Sequence, residues 1–459
     1  MMQLPPLFVR QMRTLLGEEY PSFAAALAEV PPVSVRLNPF KHIEGKQGPF
    51  AGVAVVPWCA EGRYLPERPD FSLDPLFHAG AYYVQEASSM FLSEVVRRSV
   101  DLSKPLRALD LCAAPGGKAT LLQAALPPDS LVVANEVVRS RLGALRENLE
   151  KWGALHFALT SASGEDWEGV GAWFDLVVVD APCSGEGLFR KNNEAVREWS
   201  PAHVEACALR QRAILTSAIK VLRPGGVLVY STCTFNRVEN EENAEWLAKT
   251  FDLEPIVLHL PDEWGIVASG EGGYRFFPHR LRGEGFFLSA FRLKEGARAV
   301  PPPRPPSNFR RLQPLGRQQL EVLRPWIRLS EGWTFFSTPQ GDALALPTAL
   351  LPELRLLDHA LTHKWLGVRL GQFKGRDFVP EHSLALSLAL SPEVPAVDFS
   401  REEALLYLKK EHFWLPATQR QRGWVIGRFE GLPIGWLKVL PDRWNNYLPA
   451  ERRLRRSLS

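Results

Sequence analysis

The decapeptide LDLCAAPGGK, residues 109–118, ends an apolar run on a turn of small residues and then opens what reads as a helix. Gly116 and Gly117 let the backbone approach a ligand closely, and N–H groups at a helix start can meet a carboxylate or ribose. The next strand-like run, 130–136, ends in Glu136, where a carboxylate can accept hydrogen bonds from two ribose hydroxyls, as in dinucleotide sites. GxGxxG and Walker patterns are both missing here, which favours a nucleoside cofactor without a pyrophosphate, namely S-adenosylmethionine. A plain tight turn of an α/β protein is the bland alternative, and it weakens as further motifs accumulate.

Outward from this turn, short β-branched runs alternate with helix-length amphipathic segments, the pattern of a parallel sheet wound with helices. The expected strands are 106–112, 130–136, 156–161, 174–180, 226–232 and 286–293, with helices over 139–152, 201–222 and 239–250. Upstream, 4–30 reads as helical, and VSVRL at 33–37 starts a small accessory region. The run ARAVPPPRPP, 297–306, carries five prolines and reads as an extended spacer. Beyond it, 343–390 mixes short strands with turns, 401–410 has a helical pattern, and 423–439 reads as two strands joined by a Glu-Gly turn. Trp414, Trp424, Trp436 and Trp444 fit a core in that last module better than a base-stacking platform. The division expected is 1–95, 96–294, a linker at 295–316, an α+β region at 317–395 and a β-rich module at 396–459.

A chain of 459 residues with 46% hydrophobic and 23% charged residues is a multi-domain globular protein by size and composition. Its apolar runs are strand-sized, well short of the roughly 18 residues a membrane helix needs. No secretory signal pattern opens the chain, so a cytoplasmic location is expected. Five scattered cysteines suggest neither disulfides nor zinc. The pairs His203 with Cys207 and His359 with His363 have helical ligand spacing but no evident third ligand, so no metal is expected. The net charge of +3 is unevenly divided, being +9 over 296–459 and −6 over 1–295. That asymmetry suits a nucleic-acid-binding appendage on an enzyme domain, although a solvated surface would look the same. The basic tail at Arg452, Arg453, Arg455 and Arg456 carries the same two readings.

Two further stretches carry the chemistry. FDLVVVDAPCSG, 174–185, is a buried apolar strand that delivers Asp180, Pro182 and Cys183 at its carboxyl end, where open α/β sheets bind ligands. GGVLVYSTCT, 225–234, brings Cys233 to the end of the adjacent strand, facing the same crevice. Methylation at C5 of a pyrimidine would use two such thiols, because C5 of cytosine is too weak a carbon nucleophile to attack a sulfonium methyl unaided. A thiolate adding to C6 makes C5 enamine-like; after methyl transfer a base removes the C5 proton and the thiolate leaves. One cysteine then serves as nucleophile and the other as base or elimination partner, with Asp180 hydrogen-bonding the ring's nitrogen edge. Spacing does not say which thiol does which.

Together, CAAPGGK, DAPCSG and STCT resemble the RNA cytosine-5 methyltransferases of the Nop and Sun type. The resemblance implies a Rossmann-like class I methyltransferase domain, Cys233 as nucleophile and Cys183 assisting release. It also implies cofactor contacts from Cys112, Ala113, Ala114, Pro115, Gly116, Gly117, Lys118, Glu136 and Asp180, and from a residue after the third strand. There the family usually has an aspartate, whereas LTSASGEDW offers Ser163, with Glu165 and Asp166 slightly later; Ser163 is assigned. SVRLN at 34–38, YVQEASS at 83–89 and FPHRLRGEGFF at 277–287 resemble motifs flanking that domain, with an implied place at the RNA groove. Arg36 reads equally as a surface ion partner, and Phe286 with Phe287 as core. The segments 367–386 and 431–436 are similar to the tail of the bacterial 16S rRNA methyltransferases of the F type, which implies a PUA-like β barrel and a small-subunit rRNA or assembled-subunit partner for a monomer. Two rivals stay open, a tRNA cytosine-5 methyltransferase and a non-catalytic ribosome-assembly factor.

Overall fold

The structure is a computed structural model that describes residues 4–41, 50, 52–328, 332–375, 377–415 and 422–456. Its centre is a sheet built on β1 (Arg107–Asp110), β2 (Leu131–Asn135), β3 (Phe157–Thr160), β4 (Phe174–Asp180), β5 (Leu222–Thr232) and β6 (Phe286–Leu293). Helices α1 (Gly117–Ala125), α2 (Arg139–Trp152), α3 (Pro201–Val221) and α4 (Glu241–Thr250) cover its faces. The strand order is β3-β2-β1-β4-β5-β6, with β1 to β5 parallel and β6 antiparallel to β5. Helices on both faces explain why β4 is a continuous apolar run, buried from Phe174 through Val179. The order reverses between β1 and β4, so the crevice opens beyond the ends of the two strands that carry CAAPGGK and DAPCSG.

The expected strands and helices are present, with two adjustments. β5 starts at Leu222, taking that residue from the expected helix, and a register shift opposite Phe174 and Leu176 accommodates Pro224 and Gly225. α4 starts at Glu241 rather than at 239, because the Glu239 side chain is turned back to the loop before it.

Before this sheet, two helices, Pro6–Leu16 and Tyr20–Ala28, lead into an antiparallel sheet of Val55–Val56, Cys59–Leu65, Val33–Leu37 and Tyr82–Val84. Arg36 is not a surface ion partner, being 1% exposed. Its Nε donates to Gln85 Oε1 (2.8 Å), its Nη2 to Thr120 Oγ1 (2.6 Å), and the guanidinium lies 4.4 Å from the Trp152 ring centroid. It thus ties the accessory sheet to α1 and α2. Phe286 and Phe287 are core residues, as one reading held.

The proline-rich run forms no helix or strand, yet it is anchored: Ala172 N donates to Val300 O at 2.8 Å. Past it, a five-stranded antiparallel sheet spans 313–380. One short strand of this region, Lys364–Leu366, leaves that sheet and pairs antiparallel with β3, covering the edge of the central sheet. The last module is a four-stranded sheet over 396–446, with Trp436 and Trp444 buried as expected and Trp424 half-buried. Trp414 departs from the core reading, being 70% exposed. The arginine tail is tied back, with Arg452 paired to Glu150 and Arg456 to Asp70. Among the described residues no helix is long and apolar enough to cross a membrane.

Arg36→Met is expected to cost about 3 kcal/mol, because buried acceptors on Gln85 and Thr120 would lose a charged donor. Urea unfolding followed by tryptophan fluorescence checks this, and an unchanged midpoint would show that the guanidinium is no tether.

Candidate functional site

The turn after β1 is shaped by Gly116, whose φ of +115° caps α1 in a conformation a side chain disfavours. α2 braces the turn from outside, with Arg141 donating to Ala114 O (2.6 Å) and Asn148 to Pro115 O (2.8 Å). From the first turn of α1, Lys118 Nζ reaches Asp180 Oδ2 at the end of β4, at 2.7 Å. Ser231 Oγ donates to the other Asp180 oxygen at 2.8 Å. The Lys118 side chain is 9% exposed and that of Asp180 38%, so the ammonium is buried and the carboxylate opens to the crevice.

Glu136 follows directly after β2. Its Oε1 accepts from Val138 N at 2.8 Å, while Oε2, 3.2 Å from Arg141, is buried without a hydrogen-bond partner. Glu136, Cys112, Val137, Ser163 and Arg210 border a cleft of about 570 Å³. Ser163 gives both its N–H and its O–H to Asp166 Oδ2, at 2.7 and 2.8 Å, which leaves its oxygen lone pairs as the available function. Asn135 joins the strand ends beneath the cleft: its amide donates to Leu111 O and Ala162 O, and its oxygen accepts from Thr160 Oγ1 and Ala162 N. Burial pushes the Cys112 thiol well up, so it stays protonated as a small packing residue.

The two remaining thiols meet. Cys183 Sγ and Cys233 Sγ are 3.0 Å apart, and Cys233 N donates to Cys183 Sγ at 3.3 Å. The side-chain hydrogen bond to Cys233, together with burial, pushes the Cys183 thiol far above the ordinary range. The two thiols thus share one hydrogen bond, a contact that spacing in the sequence did not reveal.

Two carboxylates that sequence reasoning did not single out hold these loops. Glu186, fully buried, accepts from Gln11 Nε2 and Trp199 Nε1 on one oxygen and from Phe235 N and Asn236 N on the other, all between 2.8 and 2.9 Å. Glu239, also fully buried, accepts from Ser184 N (3.0 Å), Gln211 Nε2 (2.7 Å) and Asn236 Nδ2 (2.7 Å). Gly187 lies so close that its N–H donates to Cys233 O at 2.9 Å and a Cβ there would sit 2.3 Å from Gly285 O. The only signal in the sequence is an acidic residue shortly after each cysteine motif. The flanking motifs also meet: Glu86 accepts from Ser88 N, Ser89 N and Glu284 N, and Ser88 Oγ donates to Glu284 O. His203 Nε2 lies 3.6 Å from Cys207 Sγ, and His359 Nε2 bonds Asn308 O.

With this geometry in view, three family descriptions match the chain: 16S rRNA methyltransferase RsmB/F over residues 100–292, the N-terminal domain of 16S rRNA methyltransferase RsmF over 4–87, and the methyltransferase RsmF PUA domain over 394–454. Among curated relatives, the ribosomal RNA small subunit methyltransferase F of Cronobacter sakazakii is 32% identical over 98% of this chain and 96% of its own length. Its Salmonella agona counterpart is 31% identical over 97% of this chain and 96% of its own length. Among solved structures, a methyltransferase homolog protein from Pyrococcus horikoshii is 29% identical with a TM-score of 0.53, covering 63% of this chain and 96% of its own. NSun6 from the same organism, at 23% identity and a TM-score of 0.53, covers 63% of this chain and 98% of its own and shares the fold.

Glu186→Ala is expected to destabilise the protein by about 3–5 kcal/mol, since four buried donors would lose their acceptor, whereas Glu186→Gln should cost clearly less. Thermal melts of the two variants check this; equal losses would show that the hydrogen-bond pattern is not what holds the loop.

Proposed function

The chain belongs to the 16S rRNA methyltransferase RsmB/F family, and from that premise we propose that it transfers a methyl group from S-adenosylmethionine to C5 of a cytidine in small-subunit rRNA through a covalent adduct at Cys233. The observation that carries this reading is the pair of sulfurs 3.0 Å apart beside the Lys118–Asp180 ion pair.

The residues present fit the cofactor. The small-residue turn from Cys112 through Ala113, Ala114, Pro115, Gly116, Gly117 and Lys118 offers close backbone approach, Glu136 Oε2, ion-paired with Arg141 but accepting no hydrogen bond, offers an acceptor for ribose hydroxyls, and the Ser163 oxygen can accept from the adenine amine. When bound, S-adenosylmethionine supplies an electrophilic methyl group on a sulfonium. Asp180, open to the crevice, receives the cytosine's amino edge while Lys118 and Ser231 hold its carboxylate in place. Cys183, as hydrogen-bond donor, stabilises negative charge on Cys233, whose thiolate forms a bond to C6. With S-adenosylmethionine bound, the C5 electron pair would accept the methyl group as the methyl–sulfur bond breaks, and S-adenosylhomocysteine would be the leaving group.

Once Cys233 is bonded to carbon, the hydrogen bond and charge that raised the Cys183 pKa are gone. Cys183 can release its proton to water, remove the C5 proton as a thiolate, and so allow Cys233 to depart with the C6–S electron pair. The cytidine must leave its stack to reach these sulfurs. The +9 balance of 296–459 supports an RNA partner, free or in the assembled small subunit.

Incubation with S-adenosylmethionine and small-subunit rRNA, followed by a denaturing gel, tests the assignment. Cys183→Ala should accumulate a protein–RNA adduct and Cys233→Ala should give none and lose methyl transfer; the reverse pattern would exchange the thiols, and no adduct from either would sink the covalent route. RNA affinity is expected to fall at least about tenfold between about 50 and 200 mM salt, and a flat titration would count against phosphate-led binding. Labelled methyl should enter small-subunit rRNA and not tRNA.

A further inference from the structure

One carboxyl group beside the proposed cofactor turn has no part in the chemistry above. Asp110 ends β1, is fully buried, and neither of its side-chain oxygens has a hydrogen-bond partner. The Cys112 backbone N–H approaches it without closing a hydrogen bond. The charged and titratable groups that face it are Lys118 from α1, Asp180 from the end of β4, Glu136 from beyond β2, Tyr83 from the strand Tyr82–Val84 and Cys112 from its own turn. Only Lys118 among them is a cation, and its ammonium is already given to Asp180 at 2.7 Å. A buried carboxyl left without a donor, next to a cation committed elsewhere, lacks a compensating positive charge.

We propose that Asp110 is a charge-compensating residue of this site, giving up a proton when a sulfonium-bearing cofactor occupies the neighbouring turn. The inference rests on the cofactor reading above. The direction follows from electrostatics. Burial, with the like charges of Asp180 and Glu136, pushes the Asp110 carboxyl up to about 7 against the opposing pull of Lys118. A fixed positive sulfonium arriving nearby favours the anion, so the group's pKa falls on binding, a proton is released, and affinity rises with pH. Without such a group the new positive charge would meet the Lys118–Asp180 and Arg141–Glu136 pairs, each already neutral as a unit. Asp110 is a positioning residue here, acting on the cofactor through the field and not through a bond.

Calorimetry of S-adenosylmethionine binding at pH 6.5, in buffers of different ionisation heat, counts the protons released. S-Adenosylhomocysteine is the control, sharing the ammonium, carboxylate and adenosine but carrying a neutral sulfur. The wild-type protein should release about 0.7 of a proton at that pH with S-adenosylmethionine, for a carboxyl near 7 whose pKa falls by about two units, and clearly less with S-adenosylhomocysteine. Its affinity for the former should rise on the order of tenfold from pH 6 to pH 8 if the pKa falls by about two units. Asp110→Asn, which mimics the neutral acid, should bind with no excess proton release and a flat profile. Equal release with the two ligands in the wild-type protein would overturn the proposal, with no need for the variant to fold, and so would excess release that survives in Asp110→Asn. No binding of either ligand would overturn the cofactor reading itself and the inference with it, an outcome distinct from binding without proton release.

Discussion

The two thiols are held in contact by a pair of buried carboxylates, and much of the molecule is arranged to satisfy them. Glu186 and Glu239 are fully buried anion-forming groups, which a protein interior tolerates only when every lone pair facing it is met. The donors come from the N-terminal helix (Gln11), from the helix α3 (Gln211), from Trp199, and from the backbone and side chain of the loop carrying Cys233. Residues far apart in sequence therefore converge on one loop pair. The aromatic contacts behind it, Phe8 with Phe189 at 4.9 Å and Phe23 with Phe235 at 5.1 Å, keep water from competing for those donors. This explains why two helices at the start of the chain belong to a site whose motifs lie some 170 residues later.

Much of this was legible before any coordinates. The central strands announced themselves because burial on both faces demands unbroken apolar runs such as LVVV, and the strand-end placement of Asp180, Cys183 and Cys233 followed from the α/β pattern alone. What stayed hidden depends on contacts between distant segments. Arg36 looks like a surface cation in SVRLN, and only the approach of Gln85, Thr120 and Trp152 makes it a buried tether. Glu186 and Glu239 carry no periodicity that separates them from ordinary exposed acids. The contact between the thiols was beyond spacing for the same reason, since it depends on two separate loops bringing the sulfurs to 3.0 Å.

The chain beyond the proline-rich run illustrates a different limit. Composition places a boundary at 297–306, and the backbone there indeed forms neither helix nor strand. A proline run denies secondary structure but does not prevent docking: the segment lies against Ala172, Lys364–Leu366 extends the central sheet beside β3, and Leu354 and Leu357 share a core with Val170 and Trp173. A flexible tether would have left the edge of β3 open. The basic balance of this half survives that docking. Arg369, Arg428, Arg452 and Arg456 are paired with Asp342, Asp398, Glu150 and Asp70, yet pairs made within 296–459 remove one charge of each sign and leave its excess unchanged. Among the described residues, only the two pairs that reach outside it, to Glu150 and Asp70, draw on the excess. Most of the nine positive charges therefore remain for a polyanion, carried on a body that packing holds at a set distance from the crevice rather than on a swinging arm.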